Sequence, residues 1–228
     1  MNNFLSENDV SVAFYVSNRS TRVQRALERM DGKHVDLLSM VAFIFVDNIQ
    51  NEDLRRSCKN AHIELYEEDL NTITKPRRGT HVSDKLLNLL TAHSVSYLIC
   101  FGDKILQGSI LSEYENRMIN FHPSLLPAFK GLHAIDNALE EGAFLLGNSA
   151  HIIDKGVDTG PVIMQSLLHN SEYQNYDDLL DLQIPMLIQL ITWLKEKRLS
   201  FDKGRPHIKS ASYAISRFIP NLEIEVNF

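Results

Sequence analysis

Two segments, NFHPSLLPAFKGLH (residues 120–133) and GNSAHIIDKGVDTGPVIMQ (residues 147–165), carry most of the information in this chain. The first begins at the end of an apolar run, RMINFH, in which the two-residue period of a β-strand puts Asn120 and His122 on one face. Pro123 has no N–H for a ladder and stops the strand, so both side chains are expected at its carboxyl end. In open α/β sheets ligands bind at that end. The second segment adds Asp158 in a Gly-rich turn, a setting in which aspartate accepts backbone hydrogen bonds. Amide, imidazole and carboxylate are what acyl transfer asks of a protein without a nucleophilic residue. One group polarises a carbonyl, one moves protons, and one sets the charge of the proton carrier.

Outward from these segments, strands and helices alternate. Buried apolar runs predict strands over residues 10–17, 41–48 and 95–102, with a shorter one at 61–67. Val23, Ala26, Leu27 and Met30 fall at helical spacing, and further helices are expected over 52–59, 83–93 and 134–141, the last stopped by Gly142. Pro76 and Gly79 predict a loop over 70–79. The last two strands are expected at 148–154 and 161–168, followed by one long helix over 176–197 that Pro185 kinks. Such alternation implies parallel pairing and right-handed crossovers, hence an α/β fold with one doubly wound, mostly parallel sheet.

Composition narrows the class. A chain of 228 residues suffices for one compact α/β domain. A net charge of -6 and scattered basic residues argue against a nucleic-acid partner. Two cysteines, Cys58 and Cys100, suggest neither a disulfide framework nor a metal site, and Cys100 in an apolar strand reads as core. No histidine spacing supports a metal. The polar, acidic N-terminus and the absence of a long apolar run predict no leader and no membrane span, so a cytoplasmic location is expected.

The Asn120-Phe121-His122-Pro123-Ser124-Leu125-Leu126-Pro127 run and the downstream Asp158-Thr159-Gly160-Pro161 closely resemble the two signatures of the folate-dependent formyltransferases. Gly131, Leu132 and His133 look most like the glycinamide ribonucleotide formyltransferase subgroup, and ASYAISRFIP near the end is similar to the tail of sugar and tRNA formyltransferases. The resemblance implies a Rossmann-like catalytic domain over residues 1–200, with 201–228 packed on it as an extension. It also implies 10-formyltetrahydrofolate as co-substrate and no metal. Asn120 is then the oxyanion donor, His122, as imidazolium, the proton relay, and Asp158 its partner, which raises the imidazole pKa. Asp103, Lys104, Ile105 and Leu106, with Asp154, Lys155, Gly156 and Val157, match the loops that grip the pterin, mainly through backbone. Ser124 and His133 match supporting positions.

The acceptor is where the chain departs from that subgroup. A Gly-rich phosphate cradle is usual after the first strand, but here Ser17, Asn18, Arg19, Ser20, Thr21 and Arg22 follow, without glycine. Backbone amides at a helix N-terminus can still hold an anion, with Arg19, Ser20, Thr21 and Arg22 as the contacting residues. Gln183 stands where the subgroup usually has a glutamate. The expected partner is a small phosphorylated amine, either glycinamide ribonucleotide or a nucleotide-linked amino sugar, with no nucleic acid and no membrane. Two alternatives are a hydrolase releasing formate from the same folate and a non-catalytic folate- or nucleotide-binding relative. About nine residues before the first strand leave no room for the regulatory domain of such hydrolases. His151, in NSAHIID, reads as a packed pocket-wall residue before a catalytic one.

Overall fold

A computed structural model describes residues 10–17, 21–47 and 52–225. In chain order the elements begin β1 (Val12–Val16), α1 (Thr21–Lys33), α2 (Val35–Leu38), β2 (Val41–Val46), α3 (Glu52–Asn60) and β3 (Glu64–Glu67). The middle of the chain gives α4 (Arg78–Ala92), β4 (Tyr97–Phe101), α5 (Ile110–Glu113), β5 (Met118–His122), α6 (Ala134–Glu140), β6 (Leu145–Ile152) and β7 (Val162–His169). There follow α7 (Tyr176–Asp181), α8 (Gln183–Lys195), β8 (Leu199–Asp202), β9 (Arg205–Ile208) and β10 (Phe218–Ile219).

Eight strands form one sheet in the order β10-β7-β6-β5-β4-β1-β2-β3, while β8 and β9 pair as a separate hairpin. Pairing is parallel from β3 through β5. It is antiparallel at β6, β7 and β10. The sheet is thus mostly parallel, but the expectation drawn from strand–helix alternation does not extend to its last strands. Only residues 153–161 join β6 to β7, too few for a parallel crossover.

Alternate residues of β1 serve opposite faces of the sheet, as the period of two requires. Val12, Phe14 and Val16 pack with Val23, Leu54 and Trp193, on the side of α1, α3 and α8. Ala13 and Tyr15 pack with Val82, Leu86 and Ile110, on the side of α4 and α5. Strand order reverses between β1 and β4, which opens a crevice at their carboxyl ends. Cys100 is buried in the second of these layers, where desolvation pushes its thiol far up.

Three expectations are corrected: the loop at Pro76, the single C-terminal helix and its kink at Pro185. Pro76 does not break the chain into loop; it lies in a short 3₁₀ turn, Lys75–Arg77, that leads into α4, so the helix starts at Arg78 and includes Gly79. A β-carbon at Gly79 would sit 2.6 Å from the Ile105 carbonyl, so this glycine serves close packing of α4 on the 103–107 loop. Ser83 completes that junction, donating to the Gly79 carbonyl (2.7 Å) and accepting from the Gln107 amide (2.9 Å). The long C-terminal helix is two helices that break at Leu182. Pro185 sits in the first turn of α8, where a missing N–H costs nothing, so it does not act as a kink. Finally, α2 and α5 are single turns that no periodicity announces.

A division at residue 200 falls inside β8. Beyond it, β10 extends the sheet beside β7. The Glu223 and Ile224 amides donate to Gln189 Oε1, and Arg198 clamps Glu223 through two bonds of 2.6 and 2.8 Å.

Candidate active site

Asn120 and His122 stand at the carboxyl end of β5, on the face opposite Ile119 and Phe121, which enter the first core layer. The antiparallel register sets Asn120 directly across from His151 on β6. Asp158 arrives on the 153–161 turn, whose shape depends on Asp154. The Asp154 carboxylate accepts from the Gly156 amide (2.9 Å) and the Thr159 hydroxyl (2.6 Å). Asp158 itself holds φ +49°, a left-handed conformation that aspartate tolerates better than most residues. Its carboxylate lies between two imidazoles, with Oδ2 3.3 Å from His122 Nδ1 and Oδ1 3.4 Å from His151 Nε2. The Gly131 amide donates to Oδ2 at 2.8 Å, tying this turn to the 129–133 loop.

Carbonyl groups, which only accept, fix how these rings are protonated. His151 Nδ1 donates to the Ile152 carbonyl at 2.8 Å, so in the neutral ring Nε2 is an acceptor. The Asn120 amide nitrogen, 3.2 Å away, donates to it and keeps its second N–H for the cleft. His151 is therefore more than a packed wall residue: it orients Asn120 and borders Asp158. His122 Nε2 likewise donates to the Phe129 carbonyl at 2.9 Å, which leaves Nδ1 to face Asp158.

Burial is the largest influence on His122 and lowers its pKa below the ordinary value, although the Phe129 carbonyl and Asp158 pull it upward. This corrects the expectation that Asp158 keeps His122 as a resting imidazolium: desolvation outweighs the carboxylate. For Asp158, burial acts upward, but a hydrogen bond from His151 when its ring is protonated, the Gly131 amide and the charge the two imidazoles then carry together hold the carboxyl down to about 2. Both shifts make acid unfavourable. The unfolded chain takes up the His122 proton first, so stability falls as pH drops below 6.5 toward the folded value. The Asp158 contribution is complete above 3.8 and is lost as pH falls through about 2. A shift of that size is worth on the order of 2 kcal/mol. Asp158→Asn is accordingly expected to cost on the order of 2 kcal/mol at neutral pH and to flatten the loss of stability below pH ~4. Urea midpoints measured across that range test it; parallel curves for the two proteins would mean the carboxylate is not paired.

The three side chains face a cleft of about 990 Å³ that follows the carboxyl ends of β1, β4 and β5. Asp103, Lys104, Ile105 and Leu106 all line it, as do Asp154, Gly156 and Val157. Ile105, Leu132 and Val157 present apolar side chains to solvent around it. Lys104 reaches back to the buried Asp47 carboxylate (3.5 Å), which also accepts from Tyr15 (2.8 Å) and Ser17 (2.7 Å). The Asp103 amide donates to the Ser17 hydroxyl at 3.1 Å, so the loop after β4 is pinned to the end of β1. Arg22 and His133 also line the cleft, His133 from a left-handed conformation at φ +60° before α6.

Other expected contacts lie elsewhere. Ser124 is buried and does not line the cleft; its hydroxyl donates to the Ala128 carbonyl at 2.8 Å and shapes the turn. Lys155 points out of the 154–158 loop, and Thr21 is an exposed first residue of α1; neither lines the cleft. Arg19 and Ser20 fall outside the described residues. Among the described residues no cluster of His, Cys, Asp or Glu is arranged to hold a metal ion, and no helix is long and apolar enough to cross a membrane.

The α/β sheet thus gathers an amide, an imidazole and a carboxylate in one cleft at the carboxyl ends of its parallel strands. Comparison with known proteins gives the class: the family model described as formyl transferase matches residues 10–181, and the chain belongs to that family. The phosphoribosylglycinamide formyltransferase of Bacillus subtilis (strain 168) is 36% identical over 93 residues, which is 40% of this chain and 48% of that protein. That of Mycobacterium tuberculosis (strain ATCC 25618 / H37Rv) is 40% identical over 75 residues, 32% of this chain and 35% of the relative. The aligned segments thus span about half, or less, of these relatives. Among solved structures, glycinamide ribonucleotide transformylase 1 from Symbiobacterium toebii superposes with a TM-score of 0.74 at 24% identity, covering 91% of this chain and 98% of that one. A formyltetrahydrofolate deformylase from Pseudomonas syringae pv. tomato reaches 0.71 at 20% identity, over 89% of this chain and 66% of its own. Such likenesses establish the shared fold.

Proposed function

We propose that this protein is an N-formyltransferase that moves the formyl group of 10-formyltetrahydrofolate to a primary amine of a small phosphorylated acceptor. The observation that carries this reading is the Asp158 carboxylate held between His122 and His151, next to an Asn120 amide with one N–H turned to the cleft. The residues suit a folate. Backbone of residues 103–106 and 154–158 borders the cleft for a pterin, and the apolar side chains of Ile105, Leu132 and Val157 suit an aromatic ring.

The folate supplies the formyl carbon that the amine attacks. Asn120 donates its free N–H to the oxygen as negative charge develops there; one such donor contributes about a hundred- to a thousand-fold in rate. His122 begins neutral and accepts the proton that the amine sheds, and Asp158 stabilises the resulting imidazolium at Nδ1. The same proton then leaves with the folate nitrogen, so no net charge stays on the protein. In the resting neutral ring Nε2 donates to the Phe129 carbonyl and Nδ1, the basic nitrogen, faces Asp158, so the proton of the amine reaches Nδ1 through water beside Asp158.

The acceptor is glycinamide ribonucleotide or a nucleotide-linked amino sugar. The experiment is a folate-release assay with 10-formyltetrahydrofolate, run against glycinamide ribonucleotide, a panel of nucleotide-linked amino sugars, and no acceptor. Release that depends on one of the amines is expected. The deformylase likeness gives the competing result a concrete form: formate release without any acceptor would replace this reading with a hydrolase. No release in any arm would favour a binding protein.

A further inference from the structure

The chain that follows β5, residues 124–129, is fastened to the sheet by two side chains whose roles are set by what they face. The Ser124 and Leu126 carbonyls can only accept. Ser149 therefore gives its one hydroxyl hydrogen to the Ser124 carbonyl, at 2.7 Å. Its lone pairs accept from the Leu126 amide at 3.0 Å and from Gln165 Nε2 at 2.9 Å. The second hydrogen on Gln165 Nε2 goes to the Leu126 carbonyl at 3.1 Å. Ser149 has no bonding capacity left, and it is fully buried, so water does not compete for these bonds. Leu125 adds an apolar contact: a β-carbon at Gly147 would lie 2.4 Å from its Cδ2, so that glycine makes room for the side chain.

Strand register brings these residues together. His122 on β5 pairs with Ser149 on β6, and Ser149 pairs with Gln165 on β7. Directly paired residues share a face, so the three form one row across the sheet. The fastened segment ends at Phe129, whose carbonyl accepts from His122 Nε2 at 2.9 Å. Phe129 holds φ +52°, a left-handed conformation that a bulky residue keeps only where its surroundings over-determine it.

That carbonyl competes with a second acceptor on the same ring. Asp158 Oδ2 stands 3.3 Å from Nδ1, and a carboxylate acting alone would draw the single proton of a neutral imidazole to that nitrogen. A ring protonated at Nδ1 has no basic atom facing Asp158 and cannot receive the proton of the amine there. The Phe129 carbonyl, closer to its own nitrogen, holds the proton on Nε2 instead.

We propose that Ser149 and Gln165 are positioning residues that act through residues 124–129, keeping the Phe129 carbonyl on His122 Nε2 so that Nδ1 stays bare as the base. This rests on His122 being the proton carrier, as proposed above.

Long-range ¹H–¹⁵N correlation of the full chain carrying ¹⁵N-histidine, at about pH 8 where the ring is neutral, reads the tautomer without any turnover. His122 is the signal that His122→Asn loses. In the wild type its two nitrogens are expected far apart in shift, Nε2 protonated and Nδ1 bare. Gln165→Met, close in volume and without a donor, and Ser149→Ala are each expected to move the tautomer balance toward Nδ1–H by about three- to tenfold, the effect of losing one hydrogen bond. Gln165 is half-buried, so its variant covers the case in which Ser149→Ala does not fold. In both, kcat is expected to fall in proportion to the lost Nε2–H form, with KM for folate and amine within about twofold. Unchanged nitrogen shifts in folded Gln165→Met, or a neutral wild-type ring protonated at Nδ1, would overturn the proposal. So would a tautomer change that leaves kcat intact. The tautomer is read whether or not formyl transfer occurs, so a wild type without transfer refutes the proposed function separately.

Discussion

Asp158→Ala and His122→Ala are each expected to lower kcat by about a thousandfold or more while the folate dissociation constant stays within about tenfold. The asymmetry follows from the geometry. Backbone of residues 103–106 borders the cleft from the end of β4, anchored by Ser17 and Ser83, neither of which depends on Asp158. Asp158, by contrast, is the shared partner of both imidazoles and of the Gly131 amide. Its removal leaves His122 Nδ1 without a counter-charge at the step where the ring must carry a proton, in a setting where burial already disfavours the charged form. Asp158→Asn separates two roles, because an asparagine oxygen can still accept from Gly131 but carries no charge. If the asparagine variant is as slow as the alanine variant, the charge matters; if it recovers most of the rate, Asp158 is mainly a loop anchor. Stopped-flow single turnover, read beside equilibrium folate titration, distinguishes these outcomes. More than a tenth of wild-type rate in the alanine variant would sink the mechanism.

Several features of the site are legible in the sequence because they are local. Asn120 and His122 share a strand face through a period of two, and Pro123 stops that strand within one residue. The Asp154–Asp158 turn announces itself through Gly156 and its two aspartates. What stays hidden depends on pairing between distant segments. His151 faces Asn120 only because β6 runs antiparallel to β5, a direction that neither segment encodes by itself. The alternation of strands and helices even points the other way. A period-two reading of NSAHIID, combined with an antiparallel β6, draws His151 toward the same face as Asn120. Ser124 misleads for the opposite reason: it sits inside the motif, yet its hydroxyl is spent on Ala128. Ser149 and Gln165 are 16 residues apart in sequence, and nothing local links either to His122. The differences among the helices share one physical source. Proline and glycine read as breakers in a sequence, whereas Pro76 and Pro185 occupy turns where no N–H is needed and Gly79 is required for contact.

Gly160→Ala is the second change with a large expected effect, and its cause is space rather than backbone angle. Gly160 is not among the glycines with positive φ, so an alanine could adopt its conformation. A β-carbon there, however, would lie 1.9 Å from the Ile152 carbonyl oxygen and 2.9 Å from its carbon. Those are backbone atoms at the end of β6, tied across the turn by the Ile152 amide donating to the Pro161 carbonyl at 3.0 Å. No side chain can swing aside, so the turn or the strand end must move by roughly 1 Å or more to reach ordinary contact. Asp158 is two residues away on that turn, and His151 adjoins Ile152 on the strand, so the displacement separates the carboxylate from one of its imidazoles. A shift of about 1 Å at reacting groups costs about a hundredfold in rate. The lost hydrogen bond and strain are expected to remove roughly 2–4 kcal/mol of stability. Gly156→Ala is the informative comparison: its β-carbon would meet the Thr159 hydroxyl at 2.0 Å, a side-chain atom that can rotate away at the cost of its one bond to Asp154. The alanine at 156 is therefore expected to be much milder in both thermal midpoint and kcat. Equal tolerance at the two positions would mean that the turn has slack, and that Asp158 is not held where the chemistry needs it.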